Sequence, residues 1–287
     1  MAKTPQNIAY MTQRPQEILD VMRIKFVLFF NWLLAVSLLL PATVSASASL
    51  SHPIETLVGE QLTYDVSFLW FDQLAEGSIT LEHGKVPGTY LAVMEARTLG
   101  VAYFITRHRV ERHQTLMEVG PNGLLRPLRH SSHTFKGKGR SLQEKRKSYD
   151  FDYEIGQIIY KRVKNNRITS NQELPLETDG PIYDILSAFY NLRLEAFGAL
   201  DQQSIHMPTF HRKKMQEIVV QPAIELSERD KKFFATEGTL CKILVDPSVF
   251  KTEGSELYVC FDKNNRLVRG IIKNVIGLGD VKGVLRY

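Results

Sequence analysis

Eight histidines and two cysteines are the side chains from which a metal or redox site would have to be built. Six of the histidines fall in close pairs, His108 with His113, His130 with His133, and His206 with His211. All three spacings are odd. On a strand, residues an odd number apart point to opposite faces, so no pair can chelate one ion and only cross-strand combinations remain. A zinc site needs three or four convergent ligands, and these histidines are read as surface or hydrogen-bonded residues, with no metal and no other cofactor assigned.

Cys241 and Cys260 are the only cysteines. If the strands around them form a hairpin in which Asp246 faces Ser255, Cys241 lies opposite Cys260, about 4.5–5.5 Å apart at Cα, and a disulfide is expected. Such a bond would close a loop worth about 3 kcal/mol in the chain-entropy view. A register slip of one residue would turn the two thiols apart and leave both free.

Hydrolytic and phosphoryl chemistry find no frame. No G-x-S-x-G elbow is present, and Ser255 sits in Glu253-Gly254-Ser255-Glu256 without one. Lys136-Gly137-Lys138-Gly139-Arg140-Ser141 lacks the upstream glycine of a phosphate loop and reads as a basic hairpin tip. Carboxylates are plentiful, but spacing along a strand-rich sequence cannot place two of them across a sugar. No catalytic residue is nominated, and a non-catalytic protein is expected.

Two further groups could bind rather than react. Lys145, Arg146 and Lys147, with Lys161 and Arg162, form the densest basic cluster. It suits anionic lipid headgroups or polysaccharide, or else the lysine guard of a sheet edge. The large aromatics Tyr64, Phe68, Trp70, Phe151 and Tyr153 crowd single strand faces and could line an apolar ligand site or fill an ordinary core.

The elements that must carry these residues are mostly strands. In 61–71 the even positions are Leu62, Tyr64, Val66, Phe68 and Trp70, against Gln61, Thr63, Asp65 and Ser67, the period-two alternation of a half-buried strand. Tyr149, Phe151 and Tyr153 oppose Asp150, Asp152 and Glu154 in the same way. A turn at Ile155-Gly156 would pair Tyr153 with Ile158 and Phe151 with Tyr160. Further strands are expected at 77–82, 89–97, 104–118, 125–135, 216–220, 239–245, 256–261, 267–274 and 280–287, separated by Pro87-Gly88, Pro121-Asn122-Gly123 and similar turn signals.

So many short strands predict a mainly β protein, an antiparallel sandwich or partly open β-barrel. One amphipathic segment interrupts them: Ile182, Ile185, Leu186, Phe189, Leu192 and Ala196 follow helical spacing. A helix over 181–197 is expected against the sheet, with Asp179 as its cap, Pro181 in its first turn and Gly198 at its end.

The N-terminal region speaks of export. Arg23 and Lys25 precede an apolar run over 26–40, then Pro41 and Val44-Ser45-Ala46-Ser47-Ala48, the layout of a cleavable signal peptide. The run holds 15 residues with Asn31 inside it, short of the roughly 20 that a spanning helix needs. Residues 1–21 have no such pattern and precede Met22, so they are read as an upstream extension, 22–48 as the signal peptide, and 49–287 as a single β-rich domain. Removing 1–46 takes four of the 36 basic and two of the 31 acidic residues and leaves a net charge of +3. That balance together with export argues against a nucleic-acid partner and for a lipid or other envelope component in the periplasm.

The order and spacing of several segments resemble an exported bacterial family, domain of unknown function 3108. They are Gly59-Glu60-Gln61-Leu62-Thr63-Tyr64-Asp65-Val66, Ala75-Glu76-Gly77, Phe151-Asp152-Tyr153, Asp179-Gly180-Pro181 through Leu192-Arg193, and Gly238-Thr239 leading to Val245-Asp246-Pro247. The resemblance implies an envelope protein, β-rich with a central helix, and carries over no catalytic residue. Three roles fit: a binding or carrier module for an apolar or amphiphilic ligand, an envelope assembly or scaffold protein, and an outer-membrane barrel. The helix, with Gly279 and Gly283 on the would-be lipid face of the last strand, weighs against the barrel.

Overall fold

The computed structural model describes residues 52–287 apart from 69–70, 101–102, 104–106, 177–179, 212–213, 224 and 236. The signal-like leader, Trp70 and Asp179 lie outside the described residues. No helix among the described residues is long and apolar enough to cross a membrane.

Eight strands come first: β1 (Gln61–Phe68), β2 (Phe71–His83), β3 (Thr89–Thr98), β4 (Val110–Val119), β5 (Leu125–Lys136), β6 (Gln143–Asp152), β7 (Gln157–Lys164) and β8 (Arg167–Pro175). Helix α1 (Ile185–Arg193) follows. Next come β9 (Ile205–His211), β10 (Lys214–Pro222), α2 (Glu228–Phe233), β11 (Thr239–Leu244) and α3 (Pro247–Phe250). The chain ends in β12 (Glu256–Phe261), β13 (Leu267–Val275) and β14 (Gly279–Leu285).

The strands form one antiparallel sheet of fourteen, not two facing sheets, in the order β8-β7-β6-β5-β4-β3-β2-β1-β14-β13-β12-β11-β10-β9. Two meanders meet where β1 pairs with β14, Tyr64 opposite Leu285. That leaves β8 and β9 as the two edges. The sheet curls until its ends share a core: Tyr149, Phe151, Ile158 and Tyr160 of β6 and β7 pack with Ile182 and with Phe210 and Met215 of β9 and β10. The rings of Tyr149 and Phe210 stand 5.8 Å apart. An open barrel-like curl is the result.

Neither edge strand was expected. β8 is exposed along most of its length and carries only Ile168 and Leu174 as apolar residues, too few for an alternation to read. β9 contains Pro208, which a strand tolerates at an edge because the missing N–H breaks no ladder there.

Two registers also differ from expectation. The turn between β6 and β7 takes Tyr153–Gly156, so Phe151 pairs with Ile158 and Tyr149 with Tyr160. The shift is two residues and keeps every side chain on its face. Gly156 closes that turn at φ +67°, where a Cβ would be strained. Between β11 and β12, Leu240 faces Cys260 and Cys241 faces Val259. This is the one-residue slip that separates the cysteines. Neither cysteine forms a disulfide and both are buried, Cys241 among Leu200, Met207 and Val259, Cys260 among Tyr64, Tyr258 and Ile271.

Helix α1 is shorter than its stripe and starts four residues late. Tyr183 is held extended, its N–H donating to Pro208 O (2.8 Å) while its carbonyl accepts from Thr209 Oγ1 (2.7 Å), so the segment bridges the β9 edge before the helix begins. Asp184 is therefore the cap, accepting from Ser187 N at 2.9 Å. At the other end Leu194 closes the helix and Glu195 turns left-handed, well before Gly198.

The helix also buries far more than one stripe. Leu186 and Tyr190 pack with Leu81, Tyr90, Met117 and Leu125. Ala188 and Leu192 pack with Ile205, Met207, Val220 and Phe261. Phe189 reaches a third cluster with Leu62, Tyr64 and Leu285. An element surrounded in this way lies within the curl of the sheet and fills it.

Candidate functional site

The inner face of the first meander is ordered in rows that run across the strands. Alternation puts Glu111, His113, Thr115 and Met117 of β4 on one face. Their partners on β5 are Thr134, Ser132, His130 and Pro127. On β6, Lys145, Lys147 and Tyr149 continue the first three rows, and on β7 Lys164, Arg162 and Tyr160 do so. The next row adds Phe151, Ile158 and Leu174. From the helix end outward, polarity rises from apolar, through aromatic and neutral polar, to cationic.

The middle row touches the helix. Asp184, buried at the start of α1, accepts from His130 Nδ1 at 2.5 Å, from Thr115 Oγ1, and from Ser187 through both N (2.9 Å) and Oγ (2.6 Å). Burial alone would raise its pKa, but His130, Ser187 and Thr115 outweigh that and bring it to about 2. His113 lies beside this cluster, its ring 5.7 Å from that of His130. Burial first, and the His130 charge second, press its pKa down to about 4.

Serine, histidine and aspartate in one cluster invite a triad, and the wiring excludes one. In a triad the carboxylate holds one imidazole nitrogen and the nucleophile the other. Here Asp184 and Thr115 Oγ1 (3.0 Å) meet the same nitrogen, His130 Nδ1, while Ser187 donates to the carboxylate itself. The cluster is a helix cap extended onto two strands.

Two further polar tethers fix the same helix. Asn191 holds the backbone of Leu125 at both ends, Oδ1 accepting from its N–H (2.9 Å) and Nδ2 donating to its carbonyl (2.8 Å). Arg193, its side chain 1% exposed, donates to Glu60 and to Asn265 O (2.9 Å). A cation at the last turn also faces the negative end of the helix dipole.

The basic cluster read from the sequence divides between two faces. Lys145, Lys147 and Arg162 are half-buried on the inner face, with Lys147 directly opposite Arg162 and Lys145 opposite Lys164. Arg146 and Lys161 are exposed on the outer face, Arg146 beside Glu144 (2.5 Å) and His133 (3.2 Å). Near the cationic rows the Arg109 guanidinium, 2.7 Å from Glu111, holds that carboxyl below its usual range against burial.

The aromatic set does not converge. Tyr64 is buried in the β1, β12 and β13 cluster, its hydroxyl donating to Leu267 O at 2.9 Å, and desolvation drives its pKa up. Phe68 is half-buried further along β1. Phe151 belongs to the cluster where the two ends of the sheet meet, with four strands between its own and β1. Tyr153 stacks 6.3 Å from Phe151, with Arg126 4.3 Å above its ring and its hydroxyl on Pro127 O at 2.9 Å. Of the histidine pairs, His113 and His130 meet across strands, while His133 pairs with Glu144 at 2.5 Å and His206 with Glu217 at 3.1 Å. Among the described residues no three His, Cys, Asp or Glu side chains gather as metal ligands.

Residues 63–286 match the family profile described as Protein of unknown function (DUF3108), which takes in nearly all of this architecture. The chain belongs to the DUF3108 family. The matched span runs from β1 to the end of β14, so in this DUF3108 chain it includes the pairing that joins the two meanders. No curated protein matches. Among solved structures it is similar to a beta-barrel-like protein of domain of unknown function DUF1849 from Brucella abortus, at 14% identity and a TM-score of 0.45, covering 79% of this chain and 94% of that one.

Proposed function

We propose that this DUF3108 protein is an exported, non-catalytic module of the cell envelope that binds an amphiphilic ligand at the polar end of its curled sheet. The observation that carries the reading is the graded inner face. Two rows that carry Lys145, Lys147, Arg162 and Lys164, with Glu111 at the β4 end of the outer one, stand next to an aromatic row and then an apolar one, as an acidic head joined to an apolar body would require. The ligand end is thereby moved from the aromatic faces, where Tyr64 and Phe151 are packed core, to Lys145, Lys147 and Arg162. The non-catalytic part rests on the Asp184 cluster, whose hydroxyls serve the cap and face no open space.

Export rests on the layout of residues 22–48. Periplasmic release by osmotic shock, with a mature N-terminus at Ser47 or Ser49, is the expected result. Retention in the membrane through carbonate washing, or a mature chain beginning at or before Phe26, would overturn it. For binding, purified protein incubated with a lipid extract of its own envelope should emerge from gel filtration with lipid attached. Elution free of lipid at every ratio would contradict the proposal.

A further inference from the structure

Of the junctions around the curl, the one between β8 and β9 has no main-chain ladder among the described residues. Side-chain packing and a strap of three residues close it. Ile182, wholly buried, wedges into the cluster that Tyr149, Phe151, Ile158 and Tyr160 of one end form with Phe210 and Met215 of the other. Tyr183 is bonded through its own backbone to Pro208 and Thr209 of β9. Asp184, the next residue, is held by His130 of β5 and Thr115 of β4. Neighbouring Cα atoms are about 3.8 Å apart, so the strap ties the edge of one meander to the body of the other in a single step of the chain. Opening the curl at any other junction would break a ladder of main-chain hydrogen bonds, whereas opening it here breaks only the strap's contacts and apolar packing. The side that the second meander supplies is also the looser one: Phe210 and Met215 are only partly buried, and a methionine repacks readily.

We propose that the β8–β9 seam is the entry for the apolar chain of a ligand, latched by Ile182-Tyr183-Asp184, and that a single alkyl chain takes the place of Ile182 against Phe151 and Ile158 when the strap lifts. The inference rests on the binding-module reading and names the route and the place of the apolar body. Ile182 belongs to no strand, so its withdrawal vacates an apolar space without breaking a ladder. Such a space stays dry and takes an apolar guest. It lies in the apolar row of the graded inner face, where Phe151 pairs with Ile158 and Ile158 with Leu174.

Hydrogen exchange of the unliganded protein tests the strap, and stopped-flow uptake of a dansyl-labelled undecanoic acid tests the route. The Tyr183 amide should exchange through a local opening, roughly tenfold or more faster than the amides of the β4–β5 ladder. Exchange at the ladder's rate would overturn the strap. Uptake at saturating probe should report the same opening. Thr209→Val removes the hydroxyl that holds Tyr183 O and should speed uptake about fivefold. Tyr64→Phe, which removes one hydroxyl bond to Leu267 of β13, should leave it unchanged. Ile182→Ala should bind the probe roughly threefold or more tightly than the wild type, having vacated the space that the alkyl chain takes. If Thr209→Val does not fold, Ile182→Ala against Tyr64→Phe carries the comparison, and the exchange measurement needs no variant. Uptake that Thr209→Val and Tyr64→Phe change alike, or Ile182→Ala binding no more tightly than the wild type, would overturn the entry and leave the binding module standing. Uptake by none of them would overturn the entry as well, and lipid still bound from the envelope extract in that event would keep the module without it.

Discussion

Replacing Asp184 by alanine removes the acceptor on which the helix, β4 and β5 converge. Three losses combine. The α1 cap goes, at about 1 kcal/mol. His130 Nδ1 and Thr115 Oγ1 are each left without their carboxylate, at roughly 1–3 kcal/mol for a buried donor. Because Thr115 Oγ1 and His130 Nδ1 also bond each other, the two donor losses overlap, and the expected total is roughly 3–5 kcal/mol. Asp184→Asn keeps one oxygen to cap the helix but turns an NH2 toward His130 and Thr115, so it should lose about half as much. Thr115→Val removes one donor and should cost about 1 kcal/mol alone, but less in the alanine background, where that donor is already orphaned. Urea denaturation followed by circular dichroism measures all four. A loss under about 1 kcal/mol for Asp184→Ala, or strict additivity with Thr115→Val, would refute the idea that one buried carboxylate organises the contact.

Acid should weaken the fold in two windows. His113 and Asp184 are both held below their ordinary values, so each contributes stability that is complete above the ordinary value and lost as pH falls through the folded one. For His113 that window runs from 6.5 down to about 4, worth roughly 3 kcal/mol, and for Asp184 from 3.8 down to about 2. Chemical denaturation at stepped pH should show the first slope, and His113→Gln should flatten it; a stability unchanged between pH 7 and 4.5 would contradict the burial of this ring. Arg193→Met leaves Glu60 without its buried partner and should cost roughly 3–5 kcal/mol in the same assay, whereas a neutral outcome would mean the pair is solvated. Phe151→Ala should lose roughly 3–5 kcal/mol as a core residue does; a much smaller loss would mean a cavity wall. Thiol labelling should find two free cysteines in denaturant and almost none in the native protein, and a chain lighter by two hydrogens would contradict the β11 to β12 register.

Local pattern carried the strands and stopped where tertiary contact decides. The alternation of Leu62 and Tyr64 against Gln61 and Thr63 marks β1 because one face is buried and the other wet. The helical stripe marks α1, but its start depends on Tyr183 bonding to the β9 edge, a contact with residues 26 positions away. The three tethers were beyond reach for the same reason: Asp184, Asn191 and Arg193 meet partners 54, 66 and 133 positions distant. Register is weakly coded in turns, so the β11 to β12 hairpin slipped by one residue from expectation and took the disulfide with it. The division of the basic cluster was legible, since Lys145 and Lys147 share the parity of Tyr149 while Arg146 does not.

The most direct measurement is native mass spectrometry of the protein released from its own envelope without detergent. Binding at the polar end of the curled sheet predicts a mass above that of the mature chain by one anionic amphiphile, lost when both Lys147 and Arg162 are replaced by glutamine. A bare mature chain in every preparation, or an adduct that survives those replacements unchanged, would contradict it.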